Sequence, residues 1–196
     1  MNDISTSRVT LAEIENLPQH LYPSLFTSAK WLQTLLQEYN FELFCTRETG
    51  KDNFLIAAKI QHFGFTKIKL LPFCDYIIPS AENTEIFQEL VHHLKNEFPS
   101  IPIEGKLGLP NDIKAETLSY PLQHTAYRHT VDTSRGIEKI QGRMDNSFLR
   151  GVRKAESEEL SISITENKDA LNRFYEIYCK QRISKFGKLP QPYTFF

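Results

Sequence analysis

Apolar residues recur at helical spacing in two stretches of the chain. Trp31, Leu32, Leu35, Leu36 and Tyr39 fall on one face, with Thr27 or Ser28 placed to cap the helix. Phe87, Leu90, Val91, Leu94 and Phe98 form a second stripe over 84–98, which Pro99 ends. Between the stripes the period shortens towards two. Phe41 to Thr46, Phe54 to Ile60 and the alternation of Lys67 and Lys69 with Ile68 and Leu70 predict strands. Polar, glycine-containing turns at 48–53 and 62–64 separate them. Ile101 to Leu107 predicts a further strand, with Pro102 placing it at a sheet edge or at a strand start.

The pattern is less regular further on. Ala126 to Asp132 reads as a strand, with Tyr127, His129 and Val131 alternating against Arg128, Thr130 and Asp132. A short helix near Gly136 to Ile140 and a longer one from about Asn146 to Glu159 follow. Leu160 to Thr165 alternates as a strand. A last helix begins after Asn167 and turns Leu171, Phe174, Tyr175 and Tyr178 inward. Strands and helices that do not alternate regularly imply an α+β fold with a mainly antiparallel sheet flanked by helices. Residues 1–135 form the expected first lobe. Residues 136–196 read as linker helices and the start of an incomplete second lobe.

The 196 residues are 40% hydrophobic, enough to bury a core, and carry a net charge of -1. That balance argues against general nucleic-acid binding but leaves room for a local basic patch. Cys45, Cys74 and Cys179 are odd in number and widely spaced, which gives neither a disulfide framework nor a zinc motif. The N-terminus has no signal-like region, and no apolar run approaches the ~20 residues of a membrane span. A cytoplasmic protein is expected.

Three features could carry chemistry. In Ser147-Phe-Leu-Arg-Gly-Val-Arg-Lys-Ala-Glu156, helical geometry sets Arg150, Arg153 and Lys154 opposite Phe148, Val152 and Ala155. Cations ahead of Glu156, Glu158 and Glu159 oppose the expected helix dipole, an order that suits a docked phosphate or pyrophosphate. An ordinary solvated face is the other reading. In Leu71-Pro-Phe-Cys-Asp-Tyr-Ile-Ile-Pro79, Asp75 sits within an apolar, proline-bounded run. Asp75 either terminates a strand or, with Tyr76, lines a cleft where a carboxylate binds an amine or orients an acceptor. The tail places Tyr193, Phe195 and Phe196 after Pro190 and Pro192. Such rings need cover, from this domain or from a further lobe or second copy. His92 and His93 read as helix surface and apolar edge, and Arg128 to Asp132 supplies no triad, because alternation sets His129 opposite Asp132.

The order Lys30-Trp-Leu32, Phe73-Cys-Asp-Tyr76, Arg128-His-Thr-Val-Asp132, Leu149-Arg-Gly-Val-Arg-Lys-Ala155 and Gln191-Pro-Tyr-Thr-Phe-Phe196 resembles the Fem-type peptidyltransferases and their GNAT-like relatives. The resemblance implies a GNAT-like first lobe and the beginning of a second. It implies the N-terminal, acceptor-binding part of an acyltransferase that passes an acyl or aminoacyl group to an amine, on a peptidoglycan or polysaccharide precursor. Asp75 and Tyr76 would sit at the acceptor cleft, with Arg150, Arg153 and Lys154 near an anionic substrate group. The donor would be acyl-CoA or aminoacyl-tRNA. No glycine-rich turn for the pyrophosphate of coenzyme A occurs in the sequence, so no cofactor is expected within this chain and the catalyst is expected to be incomplete. The alternative is a non-catalytic module of the same fold that binds a ligand or a protein.

Overall fold

The computed structural model describes residues 3–17, 24–62, 64–78, 80–108, 131–158 and 160–196. The chain is a mixed α+β protein built on one five-stranded, mostly antiparallel sheet in the order β1-β2-β3-β4-β5. Its strands are β1 (Ile4–Val9), β2 (Glu42–Glu48), β3 (Phe54–His62), β4 (Phe65–Leu70) and β5 (Ile103–Gly105). Helix α1 (Ala29–Glu38) lies between β1 and β2 in sequence, and α2 (Thr84–Glu97) between β4 and β5.

Neighbours β1 to β4 are antiparallel and adjacent in sequence. Gly50 and Gly64 supply positive φ, +75° and +81°, in the segments between β2 and β3 and between β3 and β4. The last step differs. β5 runs parallel to β4, pairing Ile68 with Ile103 and Leu70 with Gly105. A parallel neighbour needs a crossover, and α2 provides it.

The stripes on both helices face the core. Ile86, Phe87, Leu90, Val91 and Leu94 of α2 are buried, as are Leu32 and Leu35 of α1. Ser28 Oγ accepts from Trp31 N, and Asn83 Oδ1 accepts from Ile86 N, so each helix starts on a side-chain cap. Phe54 to Ala58 are all buried. Successive strand residues point to opposite faces, so β3 is covered on both sides at this point.

One buried polar cluster ties the β2–β3 turn to the lead-in of α2. Glu48, only 4% exposed, accepts from Asn53 Nδ2 at 2.8 Å and pairs with Lys51 Nζ at 2.9 Å. Asn53 Oδ1 accepts from Glu82 N at 2.9 Å, and Ser80 Oγ donates to Asp52 O at 2.9 Å. The hydrogen bonds from Lys51 and Asn53 hold the Glu48 carboxyl below the usual carboxylate range.

Contacts divide the chain into two compact units, 1–121 with Phe195 and 122–194 with Phe196. The expected division at 135/136 falls inside the second. That unit contains α3 (Ile137–Gln141), α4 (Asn146–Ser157) and α5 (Lys168–Phe186). None of its described residues is buried. Leu160 to Thr165, expected as a strand, joins no sheet among the described residues, because alternation alone cannot supply the neighbour that a strand must bond to. Of the strand expected over 126–132, residues 126–130 lie outside the described residues. Val131 and Asp132 belong to a turn, where Asp132 Oδ1 accepts from Ser134 N. Strand β1 has no counterpart among the sequence-based expectations.

Candidate functional site

The sheet changes direction once, at the β4–β5 step, and the residues after these two strands come together there. Leu71 and Phe73 follow β4 with φ of +44° and +63°, left-handed values that side chains with a Cβ rarely adopt. Cys74 Sγ donates to Leu71 O at 2.7 Å and closes this turn. The chain then runs parallel to the segment after β5. Ile77 N donates to Lys106 O at 2.8 Å, and Gly108 N donates to Ile77 O at 2.7 Å. Both segments therefore leave the carboxyl ends of the two parallel strands, the place where open sheets with crossovers leave a crevice.

Backbone and ring approach closely here. A Cβ on Gly108 would stand 2.4 Å from Tyr76 Cδ2, so only glycine lets the ring lie flat against this backbone. Asp75, Phe73 and Lys106 are exposed, and Tyr76 is half-buried. Buried Leu71 and Ile77 form an apolar floor. The rim thus offers a carboxylate, a phenol and an ammonium group over apolar ground. A crevice with room for no more than about one water adjoins it, lined by Phe54, Ile56, Leu71, Ile77, Ile78 and Ser80, among others.

Aromatic packing holds the strained turn in place. Phe73 lies 4.5 Å from the Tyr39 ring and 6.0 Å from Phe41 between centroids. Phe195, which groups with this unit, stands edge-on to Trp31 at 5.5 Å and to Tyr39 at 5.8 Å. Such ring pairs contribute about 0.5–1.5 kcal/mol each beyond their area, a scale that offsets a strained backbone residue at about 1–3 kcal/mol. Burial pushes the Cys74 thiol above its usual range. Burial likewise raises Cys45 to about 11.

Arg150, Arg153 and Lys154 lie on α4 in the second unit, all exposed. They occupy one side of the helix, with Phe148 and Val152 on the other. The expected opposition of charge and dipole holds only in part, since Glu156 and Glu158 do stand at the C-terminal end. The helix spans Asn146–Ser157, so Arg153 and Lys154 fall in its second half and Lys154 in its last turn, where a cation is favourable. Its N-terminus already carries an anion. Asp145 Oδ1 accepts from Ser147 N at 2.7 Å, and the Ser147 hydrogen bonds keep that carboxyl below its usual range. Lys154 pairs with Glu158 at 3.7 Å in full solvent, a weak contact.

The tail turns back along α5. Gly187, with φ +58°, ends the helix with its N–H on Ile183 O, a left-handed glycine cap, and Lys188 N reaches Arg182 O. Tyr175 Oη then donates to Gln191 O at 2.8 Å and Tyr178 Oη to Gln191 Oε1 at 2.9 Å. Phe196 packs on Phe174, Tyr175 and Tyr178. Phe196 thus has ring partners on α5, yet Phe196 and Tyr193 stay 44% and 37% exposed.

The five expected site residues fall into two groups, Asp75 and Tyr76 on the first unit and Arg150, Arg153 and Lys154 on the second. Phe73, Lys106 and Gly108 were missing from the sequence-based set. The Gly-Lys-Leu-Gly run at 105–108 was the available signal, read for close backbone approach rather than for phosphate binding. No family model, curated protein or solved structure matches this chain.

Proposed function

We propose that the chain is the N-terminal, acceptor-binding part of a Fem/GNAT-like acyltransferase that transfers an acyl or aminoacyl group to an amine. The observation that carries this reading is the placement of Asp75 and Tyr76 at the carboxyl ends of β4 and β5. The sequence resemblance to Fem-type proteins names the same two residues for the acceptor cleft. An acceptor amine arrives as an ammonium ion. Asp75 pairs with it in an exposed position, and the Tyr76 ring, laid against Gly108, limits its approach. The amine must lose one proton before it attacks the acyl carbonyl, and the new N–C bond displaces the donor's thiol or hydroxyl. The donor is acyl-CoA or aminoacyl-tRNA, brought to a part of the enzyme outside this sequence. Arg150, Arg153 and Lys154 serve an anionic group of a substrate, such as the diphosphate of a nucleotide-linked cell-wall sugar. A cytoplasmic setting belongs to the same proposal. All three cysteines are free, and no described helix is long and apolar enough to cross a membrane.

Titration of the isotope-labelled chain with a nucleotide-linked amino sugar bearing a free amine tests the reading. Saturable shifts are expected at Asp75, Tyr76, Lys106 and Gly108. Asp75→Asn should weaken them about tenfold, the loss of a charged hydrogen bond. In a separate titration with a nucleoside diphosphate, Arg150→Ala with Lys154→Ala should weaken binding about tenfold and flatten its salt dependence. Absence of shifts at 75–76, or equal affinity for Asp75→Asn, disproves the acceptor role. The second reading, a non-catalytic binding module, is favoured by the second unit's lack of any buried described residue. Binding that persists with no transfer, even with a complementing donor lobe supplied, would establish it.

A further inference from the structure

The segment Leu160 to Thr165 is the most exposed apolar stretch among the described residues. Leu160, Ile162 and Ile164 are 67%, 95% and 102% exposed. Among the described residues, no backbone group of Ser161 to Ile164 bonds to another strand. The sequence Leu-Ser-Ile-Ser-Ile-Thr has the alternation, the β-branching and the length of a single strand. Unpaired peptide groups beside three aligned apolar side chains are what a sheet edge needs from its neighbour.

Charge decides which neighbour. Glu166 continues the even-numbered face of Leu160, Ile162 and Ile164. Glu158, in the turn that leaves α4 and in weak, solvent-exposed contact with Lys154 at 3.7 Å, bounds the other end. A second copy fits poorly. Antiparallel pairing that sets Ile162 on its own mate brings each Glu166 to the Glu158 end of the other chain. Shifting the register by two residues sets a glutamate against Leu160 or Ile164. Parallel in-register pairing stacks Glu166 on Glu166. Every apolar match between copies therefore buries or opposes like charge, which is destabilising for directly facing residues.

We infer that Leu160 to Thr165 is a docking strand for a partner protein, completed by a strand that presents three alternating apolar side chains with lysine or arginine at each end. Main-chain hydrogen bonds supply the attachment. The isoleucine face supplies the burial, and the two glutamates select the partner's cationic flanks. This surface is distinct from the Asp75 rim and does not depend on the acyltransferase reading.

The test uses the full chain and two synthetic peptides, Lys-Thr-Val-Thr-Val-Thr-Val-Thr-Lys and the same peptide with aspartate at both ends. Amide exchange is read at Ser161, Ser163 and Thr165, and affinity by fluorescence anisotropy. The lysine-flanked peptide should protect these amides and bind about tenfold more tightly than the aspartate-flanked one. Glu158→Lys with Glu166→Lys should reverse that preference while leaving the far-ultraviolet dichroism unchanged. Ile162→Asp should abolish binding of both. Equal affinity for the two peptides overturns the charge selection. Failure of either peptide to protect the amides overturns the docking strand. Concentration-dependent self-association that Ile162→Asp removes overturns it too, in favour of a second copy.

Discussion

Replacing Asn53 with alanine removes two hydrogen bonds at one stroke. The Nδ2 donor to buried Glu48 is lost, and so is the Oδ1 acceptor for Glu82 N. A hydrogen bond to a charged group contributes about 1.5–3 kcal/mol and a neutral one about 0.5–1.5 kcal/mol. The variant should therefore lose roughly 2–4 kcal/mol. For a unit of about 120 residues each kcal/mol moves the midpoint by about 3–6 °C, so the expected drop is roughly 6–24 °C. Trp31 is the only tryptophan of the chain and lies in the first unit, so its fluorescence reports this unit alone. Asn53→Asp sharpens the test. It keeps the acceptor but sets a second carboxylate against Glu48, so it should be worse at pH 7 than at pH 4, where one of the two can hold a proton. A loss below about 0.5 kcal/mol for the alanine variant, the range of ordinary surface changes, would refute the structural weight given to this cluster.

Three further outcomes are expected. Leu94→Asp places a carboxylate where nothing is exposed and should unfold the first unit, whereas Asn96→Ala, on the outer face of α2, should stay within about 0.5 kcal/mol; equal melting temperatures would contradict the α2 packing. Glu48 and Glu104 are held below the ordinary carboxylate value of 4.5 by Lys51 and Asn53, and by Lys67 and Lys69, respectively. Their stabilisation is complete above pH 4.5 and lost as pH falls through the lowered folded values, and Glu48→Gln should flatten that acid limb in urea titrations at stepped pH. Gly108→Ala drives a methyl group into the Tyr76 ring, so it should shift the Tyr76 resonances of the free protein and weaken acceptor binding; unmoved resonances would disprove the close approach.

The helices of the first unit were legible because their stripes, caps and stops are local. Ser28 and the apolar period fix α1 without reference to anything distant. Strands β2 to β4 were legible from alternation and from the glycine turns between them. β1 was not, since Ile-Ser-Thr-Ser-Arg-Val buries only Val9. Its place comes from pairing with β2 and from the 2.8 Å Thr6–Thr46 hydroxyl contact across the sheet. The candidate rim was half visible. Asp75 stood out as a charge in an apolar run, but the parallel β4–β5 step that brings Lys106 and Gly108 beside it is a tertiary event. The same limit explains Leu160 to Thr165, where local alternation is genuine and the partner is not local. On α4 the start at Asn146 was legible, and the structure adds that Lys154 reaches the last turn while Glu158 becomes the C-cap.

The two units answer to different forces, and this governs how their variants must be read. The first has a closed core, which lets it hold Leu71 and Phe73 in left-handed backbone and keep a rim in fixed geometry. A substitution there moves stability and binding together. Asp75→Asn is therefore informative only beside a melting curve that matches the wild type. The second unit holds its described residues by local means, the Asp145 and Asn167 caps, the left-handed cap at Gly187 and the tyrosine bonds to Gln191. Nothing buried depends on Arg150 or Lys154, both exposed on one helix face. Their removal should leave helix content intact, as a far-ultraviolet spectrum would verify. Any affinity lost with them is then a direct measure of the ligand's charge, not of a weakened fold.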